Sequence, residues 1–179
     1  MNFKFLCFGL IFFIDVTFGG VDLLPDFIGY FFILRSCINL ALYDRNFIVS
    51  KFCAYLLLII SLLDIYKNKE IMSIMVYSIL EIVMTVIVII IFIFLYRGIK
   101  VIFNDSTIIK SALYNIAFAI LFLGQLSKII NILLFIMLKG EKIIKYMPAV
   151  HGFTTIIILV SIILLIKFFR NIINYCRIE

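Results

Sequence analysis

The run IVMTVIVIIIFIFLY (82–96) carries no charge, and Thr85 and Tyr96 supply its only polar side-chain groups. In water such a segment must be covered on every face, and the rest of the chain cannot cover it. Of 179 residues, 66% are hydrophobic and 15% charged, where a soluble domain is roughly 45–50% apolar and about 25% charged. That surplus exceeds what one water-soluble core of this size can hide, so the solvent for most of the surface is lipid. A bilayer admits only structures whose backbone polar groups are satisfied internally, namely helices or closed barrels. Apolar runs of helical length, with no ten-residue alternating segments, select helices. The expected fold is all-α, a polytopic transmembrane helical bundle, with residues 1–179 as one domain.

About 20 apolar residues span the hydrocarbon as a helix, and six segments qualify or come close: 3–18, 23–42, 47–66, 71–96, 107–138 and 147–169. Pro148 falls in the first turn of the last, where a missing N–H is harmless. The first segment is short. It either crosses or forms, with the second, a hairpin that enters and leaves on one side. Its lysine followed by an apolar run imitates a signal peptide, but Asp15 interrupts the run and no A-x-A site follows. The expectation is a retained first helix.

Orientation follows the basic residues at segment ends. With the N-terminus inside, the inner side collects Lys4, Arg35, Arg45, Lys51, Arg97, Lys100, Lys110, Lys167, Arg170 and Arg177. The outer side collects Lys67, Lys69, Lys139, Lys142 and Lys145. All five arginines fall inside, so both termini are expected in the cytoplasm and the chain in the plasma membrane. The net charge of +6 then has anionic lipid as its partner. A nucleic-acid partner would need a soluble module with a basic, aromatic face, and none is visible.

Ionisable residues within a span are costly and are candidates for function. Arg35, Glu81 and Lys128 each lie ten to a dozen residues from the outer end of their segments. At 1.5 Å per residue that is near the midplane. The expectation is a midplane polar cluster of Glu81 with Arg35 or Lys128, supported by Gln125, Asn131 and Asn39. Its simplest role is to fix helix pairing, and its alternative is a solute or ion site. A second group, Asp15, Asp22, Asp26, Asp64 and His151, is expected to share an acidic outer mouth. Metal spacing such as H-x-x-x-H is absent, so no metal and no cofactor are expected.

Between segments one and two stands FGGVDLLPDFIGY (18–30). Gly19 and Gly20 permit a tight reversal. Asp22 is placed to cap the next helix ahead of Pro25, and Asp26 complements its dipole. Asp22, Asp26, Gly29, Ile33 and Ser36 follow helical spacing as a small-and-polar stripe suited to close helix packing. The run GGVDLLPDFIGYFFIL resembles the opening signature of uncharacterised small multi-pass membrane proteins of Firmicutes, approximately Gly-x-Asp-Ile-Leu-Pro-Asp-Phe-Ile-Gly-Tyr. The matching residues are Gly20, Asp22, Leu24, Pro25, Asp26, Phe27, Ile28, Gly29 and Tyr30. The resemblance implies a bacterial membrane protein and no particular activity.

Cys7, Cys37, Cys53 and Cys176 lack paired spacing, so they are expected as small apolar side chains in helix or lipid contacts. No phosphate-loop, H-E-x-x-H, G-x-S-x-G or kinase-like motif appears, so an enzyme is not expected. Two functional classes remain. One is a component that binds or moves a small solute or ion through the buried charges. The other is a non-catalytic membrane partner, for assembly, immunity or stress response, whose charges hold helices together.

Overall fold

The computed structural model of the protein describes residues 3–12, 17–18, 21–22, 26–65, 74–103, 112–137 and 147–175. Among these residues the chain is helical apart from one two-residue strand pair. The helices are α1 (Lys4–Ile11), α2 (Asp26–Leu40), α3 (Asn46–Ile65), α4 (Ile74–Ile102), α5 (Ala112–Met137) and α6 (Met147–Tyr175). Strands β1 (Thr17–Phe18) and β2 (Val21–Asp22) pair antiparallel between α1 and α2, Thr17 opposite Asp22. Three helices contain a stretch long and apolar enough to cross a membrane: Ser78–Ile102, Tyr114–Leu134 and Gly152–Asn174. The chain is a membrane protein.

Several helix starts and ends differ from the sequence expectation. Segment one is not a helix from 3 to 18: α1 has 8 residues, about 12 Å, and cannot cross a ~30 Å core alone. In the second segment α2 is described from Asp26 and Asp22 lies in β2, while the expected cap of Asp22 on the Leu24 N–H falls outside the described residues. At the other ends, α4 runs on past Tyr96 to Ile102 and α6 past Phe169 to Tyr175. Arg97, Lys100 and Arg170 are exposed there, so the helices continue where charged heads reach water.

Successive helices pack on one another, and α6 returns to α1, closing a ring. Each seam has its own means of close approach. In α1–α2 the backbones meet at Gly9 and Gly29. A Cβ on Gly29 would lie 2.8 Å from Phe12 Cβ and 3.1 Å from the Gly9 carbonyl oxygen. Phe32 stacks on α1 beside this crossing, 6.1 Å from the Phe5 ring and 6.0 Å from that of Phe12. Thus Gly29, Ile33 and Ser36 of the expected stripe are buried, while Asp26 is exposed at the helix start.

The α2–α3 turn is held by Asp44, whose Oδ1 accepts from the Asn46 backbone N–H at 2.8 Å. Fully buried Phe47 lies flat against Gly98 of α4, where a Cβ would meet its ring at 2.6 Å. The Ser50 hydroxyl donates to the Ile91 carbonyl across the same seam at 3.2 Å. Cys37 and Cys53 are free and buried, and Cys7 is free and half-buried, so the three are packing residues as expected.

An aromatic chain joins the ring at one end. Tyr96 stacks on Tyr114 (4.8 Å), Tyr114 meets Phe168 (4.6 Å), and Phe168 meets Phe169 (5.4 Å). Phe169 then stacks on Phe3 (5.9 Å), which meets Phe103 just beyond α4 (6.0 Å). The run passes through α4, α5, α6, α1 and back to the end of α4.

The glycine crossing yields a matched pair of predictions, read as thermal unfolding in detergent. Gly29→Ala must push backbone aside and lowers stability by about 1–3 kcal/mol. Gly152→Ala, where nothing lies within 4 Å of the new Cβ, is neutral or gains up to about 1 kcal/mol from helix propensity.

Candidate functional site

The charged residues of the spans come together in one pair. Lys128 Nζ of α5 lies 3.2 Å from Glu81 Oε1 of α4, with 34% and 31% of the two side chains exposed. The residues reach each other because α4 and α5 run antiparallel in a register that also pairs Tyr96 with Asn115. The Thr85 hydroxyl, one turn on, donates to the Glu81 carbonyl at 2.8 Å, so it adds no second ligand to the carboxylate.

Two parts of the expected cluster differ. Arg35 is not a partner of Glu81. It lies on the exposed face of α2, whose buried face is Gly29, Tyr30, Ile33, Ser36, Cys37 and Leu40. Spacing decides this, since Arg35 falls between the buried rows. Nor is the pair central along α4, because the helix continues to Ile102: Glu81 sits seven residues, about 10 Å, from its first residue.

Asn131 and Gln125 separate from the ion pair by face. Asn131 Nδ2 donates to Thr154 Oγ1 of α6 at 2.8 Å, and the Ser127 and Thr154 hydroxyls lie 3.2 Å apart. Beside them Gly124 lets α6 approach, with Ile158 Cγ1 2.9 Å from where a Cβ would be. This hydroxyl–amide network links α5 to α6. Asn39 is half-buried on α2. Gln125 is only 6% exposed and turns toward α4, into a groove of about 310 Å³ that also touches Tyr96, Asn115 and Phe122.

Of the expected outer mouth, Asp26 is exposed at the start of α2. Asp22 lies in β2, Asp64 in the last turn of α3 and His151 in the second turn of α6. Alternation of helix direction puts these positions at the same end of the ring. Asp15, Gly19, Gly20 and Pro25 lie outside the described residues. Among the described residues no three His, Cys, Asp or Glu side chains group as a metal site.

Tyr114–Asn115 reads in the sequence most simply as a pair of interhelical hydrogen bonds and interface anchors, and both residues make such bonds to α4; the Tyr96–Tyr114 stack is the part that spacing does not show. The Tyr114 hydroxyl donates to the Tyr96 carbonyl at 2.6 Å, and the Tyr96 hydroxyl to Asn115 Oδ1 at 2.9 Å.

The seam is therefore tied at both ends, by tyrosines at one and by an ion pair at the other. Charge reversal tests the second tie. Glu81→Lys and Lys128→Glu, read as thermal unfolding, each lower stability by about 1–3 kcal/mol given partial exposure. The double swap recovers most of the loss, and a double swap no better than either single breaks the assignment.

Comparison of the chain with family models, curated proteins and solved structures finds no match.

Proposed function

We propose that this chain is a non-catalytic partner protein of a bacterial plasma membrane, a multi-pass bundle with both termini in the cytoplasm. The Glu81–Lys128 pair carries this reading. At 3.2 Å each charge is neutralised by the other, and a charge so matched serves helix pairing better than it serves a passing ion. The neighbouring polar groups support the same role: Asn131, Ser127 and Thr154 are engaged with each other. Both-inside topology rests on the excess of arginine and lysine at the end where the aromatic chain closes. The resemblance of residues 19–34 to small Firmicutes membrane proteins supports the bacterial setting.

A specific observation favours a second reading. About a third of Glu81 and of Lys128 stays accessible, which a small solute or ion would need in order to engage them. In that reading the pair opens as the solute binds, and the chain is a binding or transport component.

The two readings separate in vesicles. Purified protein reconstituted with a trapped pH-sensitive dye is given a potassium diffusion potential. The proposal expects proton leak equal to that of empty vesicles, and unchanged in Glu81→Gln/Lys128→Met. It also expects that double variant, tagged and pulled from native membranes, to retain the wild type's co-purifying membrane proteins. Proton or cation flux that disappears in the double variant, with its helical content intact, overturns the proposal in favour of transport.

A further inference from the structure

Between the Tyr96–Asn115 tie and the Glu81–Lys128 pair, α4 and α5 leave a groove of about 310 Å³. Buried Phe92, Phe118 and Gln125 form its floor, and exposed Asn115, Ala119 and Phe122 its rim, so it opens on the outside of the ring. Ile89 and Tyr96 line it on α4, which makes it about 10 Å long. Its lining is apolar apart from Gln125 in the floor and Tyr96 and Asn115 at one end. That end lies at headgroup level, since Asn115 is the second residue of the apolar stretch Tyr114–Leu134.

A cation stands at the same end. Lys100 continues the α4 face that lines the groove, because Ile89, Ile93, Tyr96 and Lys100 recur at helical spacing. It is exposed and has no carboxylate partner among the described residues. A helical side chain leans toward the N-terminus of its helix, which carries the Lys100 ammonium back toward Tyr96 and Asn115. Arg97 is engaged elsewhere, over the Phe94 ring at 5.8 Å. The Tyr96 hydroxyl uses the Asn115 oxygen, which leaves the Asn115 amide two donors. An ammonium and amide donors at one end of an apolar slot complement an amphiphile with an anionic head. We propose that the groove holds one anionic phospholipid, its phosphate at Lys100 and Asn115 and an acyl chain along Ile93, Phe118 and Phe122. Lysine serves a phosphate as a point charge, and the acyl chain makes the dispersion contacts that an unfilled slot would lose. Any lipid can cover the slot, and the charge selects which one stays. Placing the lipid in the cytoplasmic leaflet rests on the topology proposed above, while the site itself does not.

The protein has no tryptophan, so Leu126→Trp, at an exposed position beside the groove, supplies a single reporter. The full chain is reconstituted in phosphatidylcholine vesicles with increasing amounts of phosphatidylglycerol brominated near its acyl-chain ends, or of phosphatidylcholine brominated in the same way. Half-maximal quenching by the anionic lipid is expected at about fivefold lower mole fraction. Lys100→Gln in the reporter protein should bring the two lipids level. Ala119→Phe, which fills the groove and keeps the charge, should do the same. Arg170→Gln, at an exposed position on α6, should keep the preference. Circular dichroism checks the helical content of each variant, and Ala119→Leu replaces Ala119→Phe if the larger ring unfolds the seam. The proposal fails if the reporter shows no preference, or if Lys100→Gln or the filled groove keeps it. It fails equally if Arg170→Gln loses the preference as fully as Lys100→Gln, which marks diffuse surface charge. Quenching by neither lipid also overturns it, because a protein then covers the groove.

Discussion

A bilayer removes the force that holds a soluble core together, since a leucine gains nothing by leaving lipid for another leucine. Helices in lipid adhere through close backbone approach, dispersion and the few hydrogen bonds that span them. Every seam described here meets that requirement in a different way. Gly9 and Gly29 bring α1 and α2 to backbone contact, Gly98 admits the Phe47 ring, and Gly124 admits α6. Polar pairs add to these contacts: Ser50 to the Ile91 carbonyl on the Gly98 seam, Asn131 to Thr154 beside Gly124, and Glu81 to Lys128 between α4 and α5. Single methyl groups at the glycines matter for the same reason that polar residues are sparse. Each seam has few attachment points, and each is near its limit of approach.

The aromatic chain has a different consequence. It runs from Tyr96 through Tyr114, Phe168, Phe169 and Phe3 to Phe103. In doing so it ties the first and last helices of the chain to the end of the central one. Offset and tilted aromatic contacts are each worth about 0.5–1.5 kcal/mol beyond burial, and all of these rings are buried except the half-buried Tyr96. A short α1 that cannot cross alone is thereby held at both ends. Phe3 ties it to α6, and the Gly9–Gly29 crossing ties it to α2.

Much of this was legible in the sequence, and the failures have definite causes. The all-helical architecture follows from apolar run length. The stripe of Gly29, Ile33 and Ser36 follows from helical spacing, as does the burial of Cys37. Glu81 and Lys128 were readable as charges needing partners, but Arg35 was an equal contender. Only the packing of α2 on α1 and α3, which leaves Arg35 on the outer face, decides between them. Gly9 and Gly124 looked ordinary, since a glycine's role depends on which helix arrives opposite it. Gln125 was grouped with the charges by depth, whereas its face on α5 separates it from them. Depth comes from counting residues, while face toward a neighbour comes only from assembly.

The chain closes on itself, α1 against α6, so that its first and last helices meet at one aromatic seam. Pulsed dipolar spectroscopy measures this most directly. Spin labels are placed at Lys4 and Arg170, in a cysteine-replaced background, in lipid nanodiscs. The account predicts one narrow distance distribution, centred well below the ~30 Å thickness of the hydrocarbon core, because the neighbouring Phe3 and Phe169 rings are 5.9 Å apart. A broad distribution, or one centred beyond that thickness, would contradict ring closure.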